Sequence, residues 1–356
     1  MKTKKLSALL AFALVGSMLA GCGTQPSTSS QSASTASAAS AGSTSAAASG
    51  GSVTVYSPNP AEALNASVKE FQEKTGITVN VVAAGTGELL KRIKAESANP
   101  LGDVMYGGGA DSLSAYSQYF DSYVSSETSS FVSGYTDPSG KWTGISPLPM
   151  VIIYNKKLVS ESDAPKSWSD LTNSKWKGKI AYADPTASGS SYTQLCTMLT
   201  AYGKDDGKGW DFIKKLVANL NGKILSSSGA VPKKVNDGEY SVGLTLEKEA
   251  MLYLNANGSL GMIYPSDGTS TVPDGIALVK NCKNKANAQK FIDFICSKDL
   301  QTMMLNKFNI RPVRKDVTLT SGLKELKDIK QVDYDFKWAS SSKSKILSQW
   351  KQVLVG

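Results

Sequence analysis

The chain has 356 residues, with 39 Lys or Arg against 30 Asp or Glu and a formal charge of +9. It contains no histidine, which excludes Ser-His-Asp and Cys-His catalysis and His-ligated zinc, and leaves only carboxylates or lysine for an enzyme to use. Arginine is confined to Arg92, Arg311 and Arg314, so few places can form a bidentate clamp on an anion; no basic run is interleaved with aromatics as nucleic-acid binding would require.

At the N-terminus, Lys2, Lys4 and Lys5 precede an apolar run over residues 6–19. This is the order of a secretory signal, too short to span a bilayer. The run ends in Leu19-Ala20-Gly21-Cys22, which resembles the bacterial lipobox, in which a diacylated cysteine becomes the first residue after cleavage. Residues 1–21 are therefore expected to be removed and Cys22 to carry a lipid on the extracellular face of the membrane. Residues 1–52 hold no acid, so the charge falls to +6 without the three lysines. Residues 23–52 are almost all Ser, Ala, Thr, Gly and Gln and cannot bury enough apolar surface to order themselves. They read as a tether whose root-mean-square span is roughly 30 Å. No later segment reads as a transmembrane helix.

The remaining three-hundred-odd residues exceed what one core usually serves, so two lobes are expected. The spacing predicts a strand over 52–57, a turn at Pro58-Asn59-Pro60, a helix over 61–75 and a strand over 76–82. Gly85-Thr86-Gly87 then opens a helix over 88–97, followed by a buried strand over 103–106. Such short alternating units predict a mainly parallel α/β sheet. Ligands of such sheets sit beyond the carboxyl ends of strands, so residues 56–60, 85–88 and 106–111 are predicted to line one mouth.

Pro147 and Pro149 predict a change of lobe before a strand over 150–154. A second α/β set follows: a short helix at 168–171, a strand at 179–182, a loop over 184–191 and helices over 192–202, 210–220 and 230–237. A strand over 241–245 closes the set, and residues 261–265 are expected to return the chain to the first lobe, with a strand at 275–279 and a helix at 286–297. Residues 313–356, with helical spacing at 346–354, have no predicted lobe. Among the cysteines, Cys282 and Cys296 are close enough in sequence to pair, while Cys196 reads as a small buried hydrophobe; none has metal-ligand spacing.

Several segments in order, among them Val53-Thr54-Val55-Tyr56-Ser57, Gly85-Thr86-Gly87-Glu88-Leu89, Asp103-Val104-Met105-Tyr106-Gly107-Gly108, Ile152-Ile153-Tyr154-Asn155 and Lys175-Trp176-Lys177-Gly178-Lys179-Ile180, resemble the extracellular solute-binding proteins of ABC importers. The likeness runs from about 53 to 313 and falls in the branch with ferric-ion, sugar-phosphate and aminoethylphosphonate binders. It implies a two-lobed, type II periplasmic-binding-protein fold, with lobe 1 over 53–146 plus 264–312 and lobe 2 over 147–263. It also implies hinge closure on a solute, an ABC permease and its ATPase as partners, a monomer, and no chemistry or cofactor. Ferric members typically use adjacent tyrosines, often with a histidine and a carboxylate; this chain has neither a Tyr-Tyr pair nor a histidine, leaving Tyr56, Tyr106, Tyr182 and Tyr264 as isolated phenols.

What the chain offers at predicted helix starts is hydroxyls and glycines: Ser57, Thr86, Gly87, and Ser188, Gly189, Ser190 and Ser191. Free N–H groups and the positive end of a helix dipole suit a small anion there, although each hydroxyl equally suits a simple N-cap. Tyr106 and Gly108, in a segment closer to the sugar-phosphate and phosphonate members, and Thr245, Glu247 and Tyr264 complete the expected ligand-binding set. A phosphorylated sugar or phosphonate is favoured over a dicarboxylate and over iron. The rival of another class, a secreted carboxylate-dependent hydrolase, would need a close acid pair, and none stands out. Sensing of a solute for a membrane kinase is a further fate that these residues leave open.

Overall fold

The computed structural model describes residues 50–319 and 322–355. The signal segment, Cys22 and nearly all of the tether lie outside the described residues. The elements in chain order are β1 (Ser52–Ser57), α1 (Ala61–Thr75), β2 (Thr78–Ala83), α2 (Thr86–Ala95), β3 (Val104–Gly109), α3 (Ala110–Ser114), β4 (Phe120–Asp121), β5 (Thr143–Asn155) and β6 (Ile180–Ala181). They continue with α4 (Gly189–Tyr202), α5 (Lys208–Leu220), α6 (Ala230–Asn236), β7 (Val242–Leu246), α7 (Glu247–Asn257), β8 (Leu260–Ile263), β9 (Thr271–Val279), α8 (Lys285–Cys296), α9 (Lys298–Phe308), α10 (Phe336–Ser341) and α11 (Lys343–Val355). Short 3₁₀ turns, such as Ser169–Thr172 after the buried Trp168, fill several connections. Among the described residues no helix is long and apolar enough to cross a membrane.

Strand order is β2-β1-β3-β9-β5-β7-β6, with β4 on β9 and β8 on β5. The expected mainly parallel sheet is corrected to a mixed one: β1–β2, β1–β3 and β6–β7 are parallel, whereas β5 and β9 pair antiparallel with each other and with their flanking strands. Two apolar cores flank this pair. One gathers Val53, Phe71, Leu90, Met105, Ile276 and Phe291, and the other Ile152, Trp168, Tyr192, Leu216, Leu244 and Trp350. Along β5, Met150, Ile152 and Tyr154 face the second core while Val151 and Ile153 enter a smaller cluster with Val231 and Leu260. That period of two, with both faces covered, is why this stretch reads as a continuous apolar run.

The strand predicted over 150–154 is longer than expected, since β5 starts at Thr143 and runs unbroken through Pro147 and Pro149. Pro147 stands opposite Pro273, and Pro149 opposite Thr271. An antiparallel pair of prolines can donate no ladder bond, so this parity is the non-hydrogen-bonded one, where proline costs the sheet little. The C-terminal segment, left without a lobe by the sequence, packs on the second core through Ala339, Ile346 and Trp350. Trp350 meets Tyr182 edge-on and donates Nε1–H to Asp184 at 3.2 Å. Cys282 and Cys296 do not pair; both are buried free thiols like Cys196.

Candidate functional site

Two helix starts face each other between the cores. Gly85, in extended conformation, caps α2 without a side-chain bond, and Thr86 is the first helical residue, two earlier than predicted. Across from it, Ser188 caps α4, its Oγ accepting from the Ser191 N–H at 3.3 Å. That cap starts the helix three residues before the prediction and converts Gly189, Ser190 and Ser191 from loop into first turn. Ser188 and Ser190 hydroxyls lie 3.1 Å apart. The Ser191 hydroxyl is buried without a partner, while its carbonyl accepts from Tyr182.

These starts border a cavity of about 400 Å³ lined by Ser57, Asn59, Gly85, Thr86, Glu88, Ser188 and Ser226 to Ser228, within the size range of small-ligand sites. A recess of about 30 Å³ continues it, past Thr86, Gly108 and Ser190 to Lys248, Glu249 and Asp274. The stretches 57–59, 85–88 and 108–109 thus do meet at one mouth. Gly108 has φ of 96°, and a Cβ there would stand 2.7 Å from Thr86 Cγ2, so both conformation and contact require glycine.

Hydrogen bonding fixes the wall. Ser57 Oγ donates to the Tyr106 carbonyl at 2.6 Å and accepts from the Asn59 N–H at 3.2 Å. Asn59 Nδ2 donates to the same carbonyl, and its Oδ1 accepts from Lys248 Nζ at 3.0 Å. Lys248 pairs with Asp274 at 2.5 Å, both largely buried. Thr245 and Ser228 donate to the two oxygens of Glu249; burial raises that carboxyl above its usual range, and Lys248 opposes the rise.

Of the expected site residues, Gly87, Gly189 and Ser191 stand at the helix starts without lining the cavity or its recess, and three others lie elsewhere. The Tyr106 ring turns into the first core, edge-on to Phe291, with its hydroxyl against Ser67; only its carbonyl serves the cleft. Glu247 is 1% exposed and holds Arg311 in a two-pronged pair at 2.7 and 2.9 Å, so it is not free for a ligand. Tyr264 donates to the same Glu247 at 2.6 Å, and burial, then Glu247, pushes its phenol far up. Thr245 reaches the cleft only through Glu249. Ser228, Lys248, Glu249 and Asp274 were missed as site residues, while Asn59 was expected only as part of the mouth: Lys248 sits in an ordinary Glu-Lys-Glu helix start, and nothing local signals its partner on β9.

The family model for bacterial extracellular solute-binding proteins matches residues 66–331. A Salmonella typhimurium protein whose name proposes 2-aminoethylphosphonate binding in the periplasm is 28% identical over 253 residues, covering 70% of this chain and 73% of that one. The solved structure of AfuA from Actinobacillus pleuropneumoniae, with fructose 6-phosphate bound, matches at TM-score 0.80 and 25% identity over 86% of this chain and 99% of its own. Iron-bound HitA from Pseudomonas aeruginosa matches at TM-score 0.73 and 25% identity, over 85% and 99%.

Proposed function

Because this chain belongs to the bacterial extracellular solute-binding proteins and is the solute-binding component of an ABC importer, we propose that its cleft captures a small organic anion, a phosphorylated sugar or a phosphonate, whose anionic group sits at the starts of α2 and α4. The observation that carries this reading is the opposition of two helix starts, with the Ser57, Thr86, Ser188 and Ser190 side chains, across one cavity. Helix-start N–H groups and two positive dipole ends stabilise an anion there without arginine. All three arginines are spent on carboxylates: Arg92 on Glu96, Arg311 on Glu247, Arg314 on Asp316 and Glu127.

In this reading residues 53–146 with 264–312 form one lobe and residues 147–263 the other, joined by β5 and by the connection from β8 to β9 and closing over the solute. Residues 334–355 travel with the second lobe. A lipid on Cys22 holds the protein, a monomer, at the outer face of the membrane, where it passes the solute unaltered to a permease and its ATPase. Against the ferric reading stand the phenols: Tyr56 donates to Glu96, Tyr106 meets Ser67, Tyr182 donates to the Ser191 carbonyl and Tyr264 to Glu247, so iron would have to break four existing hydrogen bonds.

Thermal unfolding of the purified protein with glucose 6-phosphate, aminoethylphosphonate, phosphate, dicarboxylates and ferric citrate, each added separately, tests the proposal. A true ligand at a hundred times its dissociation constant adds about 2.7 kcal/mol, a rise of a few degrees. An organophosphate or phosphonate is expected to give that rise. A rise with ferric citrate alone, together with a tyrosinate absorption band, would replace the anion by iron.

A further inference from the structure

Gly85 and Gly87 flank the first residue of α2, and Gly189 is the first residue of α4. None of the three has a positive φ, so any residue fits their backbone conformation. What excludes a side chain is the opposite helix start. A Cβ on Gly87 would stand 2.6 Å from the Thr186 carbonyl oxygen, and one on Gly85 2.7 Å from that of Ala187. Reciprocally, a Cβ on Gly189 would stand 2.8 Å from Thr86 Oγ1 and 2.9 Å from Thr86 Cβ. These distances are far inside van der Waals contact, and at Gly85 and Gly87 the obstacle is main chain that cannot swing aside. The Gly87 N–H donates to the Ala187 carbonyl at 3.1 Å. Behind the seam, Leu89, Leu90 and Ile93 of α2 belong to the first core, and Leu195, Met198 and Leu199 of α4 to the second.

We infer that Gly85, Gly87 and Gly189 are positioning residues for solute capture, a seam of missing side chains that lets the two helix starts meet and converge on one anion. The inference rests on the two-lobed capture reading and adds the residues that make closure possible. Two like dipole ends repel when brought together, so an anion between them favours the closed seam. A methyl group at position 87 holds the seam apart while leaving each core untouched. Encounter with the solute is unaffected, whereas dissociation is faster.

The test compares wild type with G87A and G85A, with and without glucose 6-phosphate or aminoethylphosphonate, by hydrogen exchange of the backbone amide at position 87, dissociation rate and unfolding midpoint. As the second residue of α2, Gly87 has no intrahelical acceptor for its N–H, so protection of that amide reports the Ala187 contact. Wild type is expected to protect it, more so with the probe bound. Both variants should keep the probe-free midpoint, G87A should lose the protection, and dissociation should be faster by on the order of tenfold. Protection and dissociation unchanged in G87A overturn the inference, as does a wild type whose Gly87 amide is unprotected with and without probe. A lowered probe-free midpoint in both variants, with faster exchange throughout the first core, also overturns it by making the glycines structural. If wild type protects Gly87 but binds neither probe, the proposed solute fails while the seam stands, read from the loss of protection in G87A.

Discussion

Arg311 and Glu247 show how a residue leaves the site once its partner is seen. The pair is buried on both sides, and Arg311 Nη2 also bonds the Lys324 carbonyl. Arg311→Met would leave a carboxylate uncompensated and is expected to cost about 3–5 kcal/mol in urea unfolding, whereas adding Glu247→Leu to it should recover much of that loss. Lys343 is a second such residue. Its stem is partly exposed, yet its ammonium is enclosed, 2.7 Å from Ser112 Oγ and 3.4 Å from the centre of the Tyr192 ring, with Asp111 and Cys196 nearby. Burial pushes it down from its ordinary 10.5 to about 8, against Asp111 and then Cys196. Between those values the unfolded chain keeps a proton that the folded chain releases, so this lysine adds stability as pH rises and withdraws it as pH falls toward 8. Wild type should gain on K343M by on the order of 1 kcal/mol per pH unit over that window, and a gap independent of pH would refute the assignment. That the hydroxyls at 57, 86 and 188 border the cavity was legible because each falls at a strand end or helix start. Glu247 and Tyr264 were misread because they bond each other, and Glu247 pairs with Arg311, which lies on a distant segment without a motif.

Among the elements, α1 and α2 followed from helical spacing, whereas the long β5 did not. Its prolines read as a boundary, and only the facing Pro273 on β9 explains why the strand survives them. The parallel prediction failed for the same reason, because repeated β-α units announce their own pairing while crossover strands carry no local signature of direction. α11 was legible as a helix but not as part of a core. Trp350 is fully buried against the second core, so Trp350→Ala is expected to cost about 3–5 kcal/mol. Hydrogen exchange in that variant should rise in α4 and α5 more than in α1 and α8, because α11 stands on the second core.

For the whole molecule, two cores share β5 and touch at the starts of α2 and α4, an arrangement in which the proposed capture closes one lobe against the other. The outline of two lobes was legible from length and repeated units, and the mouth from strand ends. The inner recess was not, since Lys248 and Asp274 come together only when β7, α7 and β9 are in place. Closure on a solute predicts a smaller radius of gyration in solution scattering when an organophosphate is bound, and no change with a sugar lacking the phosphate. The most direct measurement is a calorimetric titration of the purified protein with glucose 6-phosphate, aminoethylphosphonate and unmodified glucose. Saturable one-to-one binding of a phosphate- or phosphonate-bearing solute, lost with glucose and weakened in S188A, is the expected result; equal binding of glucose, or no binding of either anion, would contradict an anion held at the two helix starts.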